Sequence, residues 1–529
     1  MPPTPAAPSS SRHAVLVAAG IFLSRIFGLV RQRVLAHFLG LSDANDAFNA
    51  AFRIPNLLQN LLGEGVLSAS FIPVYTRLRA EGRDAEAEDV ANAVFGLLAL
   101  ATSLIVLLGM LFAGPLTDVI ATGFPPAKRA LTEQLVRLLF PGAGCLVLSA
   151  WCLGVLNSHR RFLLSYAAPV IWNVAIIVTV LLRADRTDQN GLAQAAALGS
   201  VIGSALQFLV QLPTVMTLLR HLRPSLHVAS AQVRSVLRSF GPVLVGRGVV
   251  QISAFVDSIL ASLLGTGAVS ALANAQVLYT LPVSLFGMSI SAAELPAMSS
   301  ATGSEGEVAD VLRTRLNAAL RRIAFLVVPS VVAFLGFGGV IAAALFQTGR
   351  FTAADSRYVW AILAGSAFGL LAAAMGRLYS SGFYALRDTR TPLRFAVIRV
   401  ILTTVLGYLA AVPLPPLLGL DPKWGAAGLT ATAGLAGWLE FALLRRGLGR
   451  RIGETGLPLR FLAILWGAAL LGGVAGFGAS RLGPSLPPVA AALVALLPFA
   501  AIYLLVTTLV GVPEALALTG RLLRRRGPA

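Results

Sequence analysis

Arg25, Arg31, Asp46, Arg53 and Glu64 are five of the ionisable side chains in Phe22–Tyr75, a stretch made largely of two apolar runs joined by a short turn at Gly40–Ala44. A charge inside a bilayer costs a few kcal/mol or more unless it finds a partner, a water-filled cavity or a ligand. Two arrangements meet that cost. Either the arginines and acids close on one another as ion pairs, or the guanidinium forks hold an anionic group, with phosphate oxygens the best geometric match. Arg25 and Arg31 are six positions apart on one helix, about 120° around its axis, so both border one wide cavity rather than a narrow stripe. Arg53 and Glu64 return nearly to the same face of the next helix, and Asp46 stands near its start. Gly63 and Gly65 flank Glu64, where a glycine pair serves as a bend point, or hinge, or as a packing contact.

The elements that must position these residues are membrane spans. The chain has 529 residues, 56% hydrophobic and 12% charged, with mean hydropathy +0.79. Soluble domains carry about twice that charged fraction. Apolar periodic segments predict an all-α polytopic membrane protein of fourteen transmembrane helices, at roughly 14–39, 45–75, 89–113, 131–157, 163–182, 191–219, 235–264, 268–299, 315–346, 357–385, 392–416, 424–444, 459–480 and 488–511. Alternating the connections places 26 of the 42 Lys and Arg on one side and eight on the other, which predicts both termini in the cytoplasm. That bias also accounts for the net charge of +19, so nucleic acid is not the implied partner. The Pro/Ser-rich opening lacks a cleavage pattern before the first apolar run, which reads as a retained helix.

A short internal repeat relates HFLGLSDANDAFNAAFRIPNLL to SLLGTGAVSALANAQVLYTLPVSL, about 226 residues further on. Each copy has a helix ending in Leu-Gly, a turn, and a helix holding Pro55 or Pro282. The repeat implies two six-helix lobes, 14–219 and 235–444, after a disordered tail at 1–13 and joined by a cytoplasmic linker at 220–234. Helices in 459–511 and a basic cytoplasmic tail at 512–529 complete the chain. Residues 301–322 read as an amphipathic cytoplasmic helix able to touch anionic headgroups. Repeated halves predict a substrate site at their interface and alternating access.

Further charges lie inside predicted spans. Arg247 and Arg377 are additional candidate cavity cations. Asp257 and Arg399 lie deep in the seventh and eleventh spans, where mutual pairing is the cheapest way to bury both. Other chemistry is excluded. The chain holds no Gly-x-x-x-x-Gly-Lys-Ser/Thr loop, so it is not an ATP-driven pump. No Ser/His/acid motif marks an enzyme, and five histidines form no metal-ligand pattern. Cys145 and Cys152, about 10 Å apart along one helix, are too distant for a disulfide.

SRIFGLVRQ, DAFNAAFRIPNLL, GEGVLSASFIPVY, LFQTGRFTAADS and GFYALRDTRTP, spread in order over the chain, resemble the MurJ (MviN) lipid II flippases of the MOP flippase superfamily. The resemblance implies two lobes forming a V, a cationic cavity, and a groove lined by the last two helices for a polyprenyl tail. It implies export of lipid II or a similar polyprenyl-diphosphate glycolipid across the bacterial inner membrane, driven by membrane potential or an ion gradient rather than by a cofactor. It assigns Arg25 and Arg31 to the diphosphate, Asp46 and Glu64 to the acids of the second helix, and Ser270 to the cavity wall. Three positions depart from the family pattern, with Gln32 for an acid and Gln59 and Val277 for arginines, and Arg53, Arg247 and Arg377 are candidates to restore the lost charge. The resemblance further implies that Asp257 is the remnant of a sodium site, and Arg399, standing on the eleventh span, is the hypothesised fixed cation in the ion's place. The alternatives are an exporter of another lipid-linked glycan and a non-transporting membrane scaffold.

Overall fold

The computed structural model describes residues 9–219, 222–481 and 486–524. The expected tail at 1–13, linker at 220–234 and tail at 512–529 therefore lie partly outside the described residues. The described chain is helical throughout, with α1 (Ser9–Leu39), α2 (Asp43–Leu62), α3 (Glu64–Ala80), α4 (Asp84–Leu111), α5 (Ala113–Ile120), α6 (Pro126–Ser158), α7 (Phe162–Arg183), α8 (Gln189–Leu218) and α9 (Ala231–Ser262). They are followed by α10 (Ala268–Pro282), α11 (Ser289–Ser299), α12 (Glu305–Phe346), α13 (Ala353–Ala385), α14 (Arg390–Ala411), α15 (Leu414–Leu417), α16 (Gly425–Ile452), α17 (Leu459–Ser480), α18 (Pro488–Leu509) and α19 (Pro513–Arg524). Among the described residues, 12 helical stretches are long and apolar enough to cross a membrane. The first and seventh expected spans, in α1 and α9, contain side chains outside the description.

The elements start and stop where the sequence tells them to. Ser42 caps α2 through Asn45, and Ser304 with Glu307 and Thr352 with Asp355 form capping boxes on α12 and α13. Residues 305–322 do not lie apart as a surface helix. They run without a break into the ninth expected span, with Leu312, Leu316, Leu320 and Ile323 all buried. The second expected span is broken instead. α2 ends at Leu62, Gly63 takes a non-helical conformation, and α3 restarts at Glu64, with Gly65 in its first turn.

Two compact units comprise Met1–Ser270 and Ala271–Ala529. In the first, Trp151, Phe71, Tyr75 and Leu78 centre an apolar core with α4 and α9 side chains. In the second, Tyr379, Phe346, Phe351 and Phe383 are fully buried. Apolar side chains such as Leu107, Leu182, Val474 and Leu497 remain exposed, the signature of helices solvated by lipid tails.

The internal repeat reappears as local geometry. Gly40 and Gly265 both take positive φ, 58° and 91°, where only glycine is unstrained. The turn after α6 and the turn after α13 also match. Arg160 and Arg387 are the two non-glycine residues with positive φ among those described, 58° and 59°. Each turn repeats the same ladder. Arg160 N–H donates to Asn157 and Arg161 to Leu156, while Arg387 donates to Tyr384 and Asp388 to Phe383. Where α2 breaks at Gly63, the corresponding helix of the second unit passes into a π-helical turn at Val283–Met288.

Candidate substrate-binding residues

Arg31 sits on α1 against two rings. Its guanidinium carbon lies 5.3 Å from the Phe52 ring centre and 5.5 Å from that of Trp172. The rings are stacked on each other at 5.5 Å and 8°. Trp172 is fixed in turn, since its indole N–H donates to the Ser200 carbonyl and hydroxyl, both at 3.1 Å. No carboxylate is within ion-pairing distance of Arg31 among the described residues, and its buried Nε has no hydrogen-bond partner. Aromatic faces stabilise the cation without consuming its donors. Arg25, two turns earlier on α1, is exposed.

Arg53, on α2, donates from Nη1 to the Ala254 carbonyl of α9 at 3.1 Å, within electrostatic reach of Asp257 one turn along. The side chains of Glu64 and Arg247 lie outside the described residues.

Asp46 does not serve the arginines as expected. Asp46 is 0% exposed and closed on every side. Its Oδ1 accepts from the Ser270 amide and hydroxyl at 2.8 and 2.7 Å. Its Oδ2 accepts from Lys128 Nζ at 2.6 Å and the Gly267 amide at 2.7 Å. Lys128 also pairs with Asp43 at 2.9 Å and lies over the Phe124 ring, and Thr266 donates to Asp43. Asp46 and Ser270 thus meet in one clasp joining the start of α2, the start of α6 and the 263–267 turn. The carboxylate neutralises a lysine there, not an arginine.

In the second unit, Arg399 also has another partner than the one expected. Its Nε lies 3.0 Å from Glu440 of α16, an ion-pair contact in which the N–H is not aimed at the oxygen. Arg377 of α13 is exposed, without an ion pair among the described residues, and within electrostatic reach of Tyr279, Arg399 and Glu440.

Reading the sequence alone missed Lys128, Trp172 and Tyr279. Lys128 falls between two expected spans, and its buried role depends on a carboxylate far away in sequence. Trp172, a lone indole in the middle of an apolar span, carried a signal that could have been read.

Comparison with known proteins places these residues in a family. The family model described as "Lipid II flippase MurJ" matches residues 35–485. The Lipid II flippase MurJ of Burkholderia cenocepacia is 33% identical over 470 residues, covering 87% of this chain and 88% of the relative. The "Probable lipid II flippase MurJ" of Rhizobium meliloti is 32% identical over 436 residues, covering 80% and 77%. Among solved structures, a lipid II flippase MurJ in an inward closed conformation aligns with TM-score 0.77 at 22% identity, over 94% of this chain and 98% of that one. An inward-facing multidrug-resistance MATE transporter of the MOP superfamily aligns with TM-score 0.65 at 16% identity, over 83% and 98%. Those two structural likenesses establish the fold. The match along most of the sequence establishes more: this chain belongs to the lipid II flippase MurJ family.

Proposed function

We propose that this multi-pass membrane protein translocates lipid II, a polyprenyl-diphosphate glycolipid, from the cytoplasmic to the outer leaflet of the bacterial inner membrane by alternating access. The observation that carries this reading is Arg31. Its guanidinium is held by Phe52 and Trp172, with no carboxylate to neutralise it among the described residues, so an external anion completes its coordination. A diphosphate offers oxygens spaced for a planar fork, and the low dielectric around Arg31 strengthens the contact. Arg25 extends the cationic surface of α1, and Arg53 adds a charge already oriented by Ala254. Arg377 offers the second unit a cation of its own. The Gly63 break and the Asp46 clasp supply the parts that a conformational cycle would work on. Membrane potential or an ion gradient drives the cycle, and both termini face the cytoplasm.

The test is translocation of fluorescent lipid II in proteoliposomes. Arg31→Ala is expected to lower the rate at least tenfold while the protein stays folded. A rate equal to wild type would remove Arg31 from the substrate path. No translocation by the wild-type chain, with or without an imposed potential, would overturn the function itself.

A further inference from the structure

A second, separate cavity of about 510 Å3 opens near the ends of α3 and α6, on the side predicted to be cytoplasmic. Thr76, Arg79, Asn157, Ser158 and Arg160 line it, with no carboxylate among the lining residues. The hydroxyls of Thr76 and Ser158 are turned to their own helices, donating to the Ile72 and Gly154 carbonyls. That leaves the two guanidinium groups as the strong donors.

The Arg79 guanidinium is placed by its surroundings, and the Arg160 backbone is fixed at the cavity rim. Arg79 Nη1 lies 3.1 Å from His159 Nδ1, and Tyr75 OH lies 2.9 Å from Nε2. Arginine can only donate, so Nδ1 accepts, and the ring is neutral with its proton on Nε2 facing Tyr75. Asp84 reaches Arg79 only at 3.7 Å, on an exposed side. Arg160 is held at φ 58°, a conformation that is costly for a residue with a Cβ and is retained where the surroundings over-determine it.

The repeat shows what is missing. In the second unit, the matching turn carries Asp388, whose Oδ1 accepts from the amides of Arg390 and Thr391. Its Oδ2 accepts from the Thr391 hydroxyl and Arg451, both at 2.6 Å. In the first unit the residue at the place of Asp388 is Arg161. One turn contains its own anion, and the other presents cations around a cavity.

We propose that this cavity binds the phosphodiester of an anionic phospholipid, with Arg79 and Arg160 on the phosphate. Ile72, Ala80 and Phe162 complete the lining with apolar surface beside the start of a membrane span, which suits a ligand that carries acyl chains. Asn157 Oδ1 is a buried acceptor without a hydrogen-bond partner, which suits a headgroup bearing a hydroxyl, as phosphatidylglycerol does. The site is independent of the substrate cations on α1 and α2.

The full-length protein in phosphatidylcholine nanodiscs doped with photoreactive phosphatidylglycerol tests the assignment. Wild type is expected to crosslink within 72–80 or 157–162. Arg160→Gly keeps the left-handed turn while removing the side chain and its guanidinium. It and Arg79→Gln are each expected to cut labelling several-fold, and together on the order of tenfold. Arg77→Gln, an exposed charge on the same helix, is expected to change nothing. Labelling unaffected by the double variant, or lowered equally by Arg77→Gln, would overturn the site. Displacement by millimolar inorganic phosphate would show a free-phosphate site and overturn the lipid assignment.

Discussion

Two side chains show how residue identity, rather than charge alone, decides behaviour here. Arg31 presents a flat cation to two stacked rings, a fit that the compact lysine ammonium does not reproduce. Arg31→Lys, which preserves the charge, is therefore expected to lower lipid II translocation about tenfold, corresponding to the ~1–2 kcal/mol of a desolvated cation–π and forked contact. Arg25→Lys has no rings to lose and is expected to cost less. Equal losses in the two variants would show that net charge is all that matters. His159 is the second case. Burial is the main cause that lowers its pKa to about 4, and the neighbouring positive charge of Arg79 adds to it. The folded ring thus stays neutral where the unfolded one, near 6.5, takes a proton. Stability contributed by His159 is whole above pH 6.5, is lost as pH falls from 6.5 towards 4, and changes no further below that. Thermal melts in detergent across pH 4–8 check this, since the difference between wild type and His159→Asn should vary only within that window.

Helix ends and breaks carry what the substrate residues depend on. At Gly63 an added Cβ would run into the Gln59 carbonyl oxygen and meet Ala150 at 3.3 Å, so the backbone must shift to admit it. Gly63→Ala is expected to destabilise the protein by about 1–3 kcal/mol, the usual cost of overpacking, and to slow translocation more than its stability loss explains. A melting temperature within one degree of wild type would show that the break tolerates a side chain. The break was legible because two glycines interrupt an apolar run, and the spans were legible because the bilayer demands some twenty apolar residues. Partners were not legible in the same way. Depth along a helix suggested Arg399 for Asp257, yet lateral packing gives Arg399 to Glu440 and sets Arg53 within reach of Asp257. Hydropathy reports how deep a residue lies but not which helix stands beside it. The internal repeat, matched by the turns at Gly40 and Gly265, let one part of the sequence comment on another.

On the scale of the molecule, the clasp at Asp46 ties together parts of the chain that are remote in sequence. A carboxylate with four donors and a lysine that is 5% exposed form a buried pair, and such pairs are costly to break from one side. Lys128→Met should cost about 3 kcal/mol or more, because it strands a buried carboxylate, and Asp46→Asn less, because Asp43 still pairs with the lysine. The double variant should cost clearly less than the sum, since neither charge then remains to be buried. Strict additivity in chemical denaturation would show that the two residues act separately. The clasp also has a kinetic consequence. Ala268, 0% exposed, directly follows the turn it closes, so a cysteine there is expected to react slowly with a membrane-impermeant maleimide in otherwise wild-type protein and several-fold faster with Asp46→Asn. If the clasp must open once per cycle, lipid II should accelerate that labelling in wild type but not in Arg31→Ala, because only a bound anion on α1 would bias the equilibrium towards the open form. Labelling that ignores both lipid II and Asp46 would make the clasp a static brace, and the moving part would have to be sought at Gly63 instead.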